Sequence, residues 1–257
     1  MKIGGAIVNQ AELLKQTRTR IPDSKEALDT LIRHRLTWQG YAGEAYSGEY
    51  SVSASQYLSS REFKQTQEPL ETPLDYSRLV YRIGNHDAPF LVGLYSMFDS
   101  IGNSNQLNAQ KFAEMIVSCV QQIPYALILP TACDANLYQD EFISKYLAGG
   151  NSKCVGSEQF GLNTPVEFLT TLNGDCDTRS LLIYSVLSHY NYDVAMLNSM
   201  HYKHALIGIN LPYSGLYYRN AHKKYVLWET TATGFKPGLL PTELSDTRHW
   251  NITLQSK

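Results

Sequence analysis

Apolar positions recur at helical spacing in four places along the chain. Behind Asp23-Ser24-Lys25-Glu26, which reads as a capping box, Leu28, Leu31, Ile32 and Leu36 fall on one face of a helix. Phe90, Leu91, Leu94 and Phe98 predict a second helix that opens at Asp87, holds Pro89 in its first turn and stops at Gly102. The third pattern is the cleanest. Phe112, Met115, Ile116, Cys119, Val120 and Ile123 form a core-facing stripe on a helix from Asn108 to Ile123, ended by Pro124. Cys119 lies inside that stripe and reads as an inert buried thiol. In the fourth, Leu181, Leu182, Tyr184, Val186 and Leu187 lie nearly all round a helix from Asp175 to Ser188, which makes that helix a buried one.

Strand texture appears in two regions. From Thr37 to Tyr57, the residues Trp38, Tyr41, Tyr46, Tyr50 and Val52 stand among glycines and predict short aromatic strands and turns. Three more strands are expected at Val194–Leu197, Lys203–Asn210 and Lys224–Thr230. A turn-rich stretch joins the last two, which makes them antiparallel neighbours. Residues 67–73 read as a loop or boundary, because two prolines fall there with two glutamates. Residues 129–162 lack periodicity and are expected to form a long loop with one short helix, of the kind that covers a functional site.

Composition removes several classes of function. A net charge of −2 leaves no electrostatic footprint for nucleic acid. No apolar run approaches the ~18 residues of a membrane span. The first residues, MKIGGAIVNQAELLK, hold too short an apolar stretch for a signal peptide. Charged residues make up only 18% of the chain against 18 tyrosines, a balance that leans towards an extracytoplasmic protein. Four cysteines are too few for a disulfide-scaffolded mini-domain.

The chemistry gathers in the last third. Cys176 stands at the start of the buried helix, where unpaired backbone N–H groups and the helix dipole favour thiolate. Asp175 and Asp177 oppose that by like-charge repulsion, so a thiolate there needs a cationic partner. Asp175 itself reads as the helix cap. His204, on a strand whose other face carries Ala205, Ile207 and Ile209, is the candidate partner. Glu229, on the adjacent predicted strand, is placed to orient the imidazole. His201 and His204 face opposite ways on a strand, and with no CxxC partner they do not read as a metal site. Taken singly, the cysteine and the histidine each have an ordinary structural reading. The ordered set is what points to a thiol nucleophile.

At these residues the chain resembles the transglutaminase-like superfamily of cysteine hydrolases and acyltransferases, most closely its bacterial and archaeal transglutaminase-like domain proteins. The resemblance is carried by Gly174-Asp175-Cys176-Asp177-Thr178, Asn191-Tyr192-Asp193-Val194, His204-Ala205 and Trp228-Glu229-Thr230-Thr231, then by Gly234 and Leu240-Pro241. Upstream, Val120-Gln121-Gln122-Ile123-Pro124-Tyr125 is similar to the helix end of that family. The likeness runs from about Phe112 to Pro241 and departs at two points. Thr178 replaces a second acid, and Tyr202-Lys203 replaces the usual glycine before the histidine.

The resemblance implies an α+β, papain-like core: a nucleophile helix packed on an antiparallel sheet, with helical and aromatic N-terminal elements. Residues 1–75 would be the N-terminal extension and 76–257 the catalytic domain. It implies Cys176 as nucleophile, His204 as general base and acid, Glu229 as the orienting acid, and Gln121 as an oxyanion donor beside the Cys176 N–H. No cofactor or metal is implied, and the expected partner is a peptide or protein substrate. The alternative is a transglutaminase-like fold used as a non-catalytic binding or assembly module. Cys133 and Cys154 flank residues 134–153, and a bridge between them would close a loop worth about 3 kcal/mol. The sequence leaves bridge and free thiols both open.

Overall fold

A computed structural model of the chain describes residues 30–150 and 152–257. The capping box at Asp23–Glu26 lies outside the described residues. Leu28 lies outside them too, and Leu31, Ile32 and Leu36 stand on a strand, not on a helix. Strand β1 (Leu31–Gln39) pairs antiparallel along its whole length with β2 (Ala45–Ser53), from Leu31 opposite Ser53 to Gln39 opposite Ala45. Ile32, Leu36 and Trp38 are buried on one face together with Tyr46, Tyr50 and Val52. That is a period of two, and it overrides the helical spacing of Leu31, Ile32 and Leu36.

Helix α1 (Ala54–Gln65) follows without a loop, capped by Ser53 in a reciprocal box with Gln56. Helix α2 (Pro73–Asp87) starts from a second such box, Thr72 with Asp75, and carries Pro73 in its first turn. The expected helix start at Asp87 is therefore a helix end. A short 3-10 turn (Ala88–Phe90) leads into α3 (Val92–Ser104). Helix α4 (Ala109–Gln122) begins at the Asn108 cap and buries Met115, Ile116, Cys119 and Val120, as its stripe predicts. The position between residues 75 and 76 falls inside α2. Among the described residues, the β1–β2 hairpin buries Trp38, Tyr46 and Tyr50 in the same core as Val166, Leu181 and Ile207.

Residues 129–162 are less open than their lack of periodicity predicts. Strand β3 (Leu127–Ile128) leads into a segment with a 3-10 turn (Ala135–Leu137) and helix α5 (Glu141–Ala148). The segment returns through β4 (Cys154–Val155), which pairs parallel with β3. Cys133 is bridged to Cys154. Helix α6 (Pro165–Thr171) precedes α7 (Cys176–His189), which is buried almost throughout.

The remainder is one antiparallel sheet built from β5 (Val194–Ser199), β6 (His204–Ile209), β7 (Tyr217–Asn220), β8 (Lys223–Trp228) and β9 (Asn251–Gln255). Its strand order is β7-β8-β6-β5-β9. Val194, Met196, Ala205, Ile207 and Trp228 join the large core that holds the helices. Ala195, Leu197, Leu206, Tyr225 and Leu227 pack with Trp250 in a second, smaller core on the other face. The protein is thus α+β, with α7 lying on an antiparallel sheet. Among the described residues, no helix is long and apolar enough to cross a membrane.

Candidate active site

Cys176 is the first residue of α7, and Asp175 caps that helix by accepting the Thr178 N–H at 3.2 Å. The glycine before the cap is sterically required. A Cβ at Gly174 would stand 2.9 Å from both the Phe168 ring and Thr178 Cγ2. Of the three residues singled out in the sequence, two are in direct contact across the sheet. The Ala205 backbone N–H, immediately after His204 at the start of β6, favours the Cys176 thiolate. His204 Nε2 lies 2.9 Å from Glu229 Oε2.

The sheet register explains why the acid is glutamate. Ile207 pairs with Trp228, and one further step sets Glu229 opposite Leu206. His204 lies two residues back on the same face. Diagonal neighbours of this kind stand about 7–8 Å apart, a span suited to a long side chain. The far oxygen of Glu229 is held by the Thr230 N–H at 2.9 Å, the Thr231 N–H at 2.8 Å and the Thr231 hydroxyl at 2.6 Å. Burial alone would raise the Glu229 pKa, but His204 and these donors outweigh it and bring it down to about 2. Burial likewise works against a charged His204, yet the Glu229 carboxylate, with Asp177 and Asp175 behind it, raises its pKa above 6.5. Both charges of the pair are therefore present from above about pH 2 until His204 loses its proton, at a pH above the ordinary imidazole value. With Nε2 given to Glu229, Nδ1 is the ring nitrogen left for a thiol proton.

The thiol is less acidic than its place at a helix N-terminus predicts. Burial pushes its pKa well above the usual value, Asp177 and Asp175 push the same way, and the Ala205 N–H opposes them. The Cys176 thiol donates to Asp177 Oδ2 at 3.7 Å, and Tyr76 donates to the other oxygen of the same carboxylate. Replacing Asp177 with asparagine removes the nearest like charge and keeps an acceptor for Tyr76. Alkylation of Cys176 at pH 7.5 is expected to speed up about tenfold, the effect of lowering a thiol pKa by about one unit. Rates resolved by peptide mass check it, and an unchanged or slower rate would contradict this account of the thiol.

Gln121 stands where the motif order predicts, with a different task. It is buried, and its amide donates to the Glu229 carbonyl at 2.7 Å and to the Phe235 carbonyl at 3.0 Å. Both amide hydrogens are committed, so it straps the backbone of Glu229 in place and presents no donor to an oxyanion. The helix start remains the source of such donors, through the free N–H groups of its first turn. Trp228 is fully buried and belongs to the core. Cys119 is buried as well, and burial raises its pKa far above the usual thiol range.

Several residues of the site escaped the motif reading. Arg179 is fully buried, with Nε on the Gly174 carbonyl at 2.9 Å, Nη1 on Val120 at 2.8 Å and Nη2 on Ile123 at 2.6 Å. It binds the nucleophile loop to the C-terminal end of α4. Tyr125 packs under the same guanidinium, 5.6 Å from its ring centre to Cζ. Tyr76 comes from α2, far away in sequence, with no local signal to mark it. The Thr230-Thr231 pair was visible as part of a motif, and its donation to Glu229 is the physical content of that motif. Comparison with protein-family models, with curated proteins and with solved structures finds no match for this chain.

Proposed function

We propose that the protein is a transglutaminase-like thiol enzyme with a papain-like core, acting on the amide bonds of peptides or proteins. The observation that carries this reading is the His204–Glu229 pair at 2.9 Å, at the start of the strand whose next residue, Ala205, turns its N–H to favour the thiolate of Cys176 at a helix start. In the reaction, His204 Nδ1 takes the thiol proton as Sγ attacks the amide carbonyl. The C–N bond breaks, the imidazolium returns the proton to the leaving amine, and a thioester remains. Water then releases an acid, or a primary amine forms a new amide, and Cys176 recovers its proton through His204. The raised thiol pKa keeps Cys176 a neutral thiol at rest, and His204 serves as the base in the fraction that has lost its own proton.

The deep burial of Cys176 between two carboxylates also suits a second reading, a non-catalytic binding or assembly module that keeps the residues without the reaction. Iodoacetamide labelling of Cys176 against pH separates the two. In the thiol enzyme the labelling rate rises as His204 becomes neutral. His204→Ala removes that inflection and lowers the rate at pH 7.5 by about 10²-fold, the usual worth of a general base. A Cys176 that labels no faster than Cys119 and ignores His204→Ala would sink the enzyme reading.

A further inference from the structure

The segment closed by the Cys133–Cys154 bridge is tied to both halves of the site. At one end β4 pairs with β3, and the Ala126 N–H that precedes β3 donates to the Gly174 carbonyl, two residues before Cys176. At the other end Asp140, the cap of α5, makes a salt bridge with Lys203, the residue before His204. Lys203 has a φ of +49°, in the left-handed region that favours glycine. The ion pair thus holds a lysine where the resembling family has a glycine. Across this bridge runs a line of aromatic rings. Phe142 on α5 is 60% exposed and lies 6.0 Å from the Tyr146 ring. Tyr146 meets Tyr125 edge-on at 5.8 Å, and its hydroxyl donates to the Lys153 carbonyl at 3.1 Å. The inner ring, Tyr125, stands one residue before Ala126, whose N–H donates to the Gly174 carbonyl, and its centre lies 5.6 Å from the Arg179 guanidinium that holds the same carbonyl.

We infer that this disulfide-held segment is one wall of the acyl-donor site, and that Phe142, Tyr146 and Tyr125 form a subsite for an aromatic or large aliphatic side chain beside the scissile amide. The inference rests on the thiol-enzyme reading and gives it a substrate class: peptides with a bulky apolar residue on the carbonyl side. The exposed ring of Phe142 is the entrance, and the bridge with the Lys203–Asp140 pair keeps the wall at a constant distance from His204.

Two measurements test it. In the first, Cys176 is labelled with N-acetyl-phenylalanyl, -alanyl and -lysyl chloromethyl ketones. The sulfur displaces chloride, forming a C–S bond and breaking C–Cl, while the thiol proton is lost to the base. Each rate is divided by that of iodoacetamide, which reports the nucleophile alone. The phenylalanyl reagent is expected to lead the alanyl one by about tenfold or more, the range of a side chain filling an apolar pocket. Phe142→Ala, and separately Cys133→Ser with Cys154→Ser, bring that ratio close to one. A ratio unaffected by Phe142→Ala overturns the inference, and so does a lysyl reagent that outruns the phenylalanyl one, since the carboxylates would then be the selecting feature.

The second measurement does not need a reactive thiol. Binding of N-acetyl-phenylalaninamide to the Cys176→Ala protein is followed by NMR and compared with N-acetyl-alaninamide. Preferential binding that is lost on adding Phe142→Ala supports the wall, and equal binding of the two amides counts against it. If labelling shows no dependence on His204, the enzyme reading fails, whereas this binding comparison still decides the subsite.

Discussion

If the protein is the thiol enzyme we propose, Glu229→Gln is expected to leave the fold intact and to lower acyl transfer by about 10²–10⁴-fold, because it forces His204 into the wrong tautomer. One oxygen of Glu229 is surrounded by three donors: the Thr230 N–H, the Thr231 N–H and the Thr231 hydroxyl. A glutamine must turn its carbonyl oxygen to those donors, so its NH2 group faces His204 Nε2. That nitrogen then has to accept, the ring proton moves to Nδ1, and Nδ1 can no longer take a proton from the thiol. Glu229→Asp should also lose activity, since the shorter side chain does not span the diagonal between β6 and the end of β8. The check is the rate of Cys176 alkylation and of amide turnover at pH 7.5, beside a melting curve. A loss below tenfold in a folded Glu229→Gln protein would mean that His204 does not depend on this carboxylate.

The largest expected loss of stability comes from Arg179. Its guanidinium is buried against three backbone carbonyls, those of Gly174, Val120 and Ile123, and packs between the rings of Tyr125 and Phe168. Among the described residues no carboxylate lies within salt-bridge distance of it. Burial draws its pKa down to about 10, which still leaves it charged at neutral pH. Arg179→Ala strands the buried Ile123 carbonyl, leaves the Gly174 and Val120 carbonyls with one backbone donor each, from Ala126 and Ile123, and opens a cavity beside the Cys176 loop. With unmet polar groups costing about 1–3 kcal/mol each, partly relieved by entering water, we expect a loss of about 4 kcal/mol. Arg179→Lys keeps the charge but lacks the planar fork, and should lose roughly half as much. Urea unfolding with the disulfide intact measures both. A loss under about 1 kcal/mol for Arg179→Ala would show that the carbonyls find other partners.

Where the sequence reading of the fold failed, polar residues had been placed inside. Helix α1 buries Ser60 and Lys64, which no hydrophobic pattern can mark. Ser60 is satisfied by Asp87 at 2.8 Å and by Thr164 at 2.5 Å, and Lys64 by Glu167 at 2.7 Å and Glu158 at 3.1 Å. The same network explains Asp87. It resembles a helix start because its carboxylate accepts backbone N–H groups, but the one it accepts is that of Val166 on α6, at 2.9 Å. The β1 segment failed for a different reason. Its residues satisfy a helical spacing and an alternation equally well, and the pairing with β2 decides between them.

By itself the sequence determined the helices whose burial is apolar, α4 and α7, and the strands β5, β6 and β8. It also marked Cys176 at a helix start and His204 and Glu229 on neighbouring strands, where the structure pairs the last two, because helix caps, apolar stripes and alternation are local and use neighbouring residues only. Tertiary structure alone decided the rest. It turned Gln121 from an oxyanion donor into a strap on Glu229, set Tyr76 and Asp177 against the thiol, buried Arg179 under the nucleophile loop and joined Asp140 to Lys203. These are contacts between distant segments, each depending on a direction of approach that no spacing along the chain encodes. The acidity of Cys176 belongs with them: a helix start predicts a stabilised thiolate, and the carboxylates and burial around that start reverse the sign.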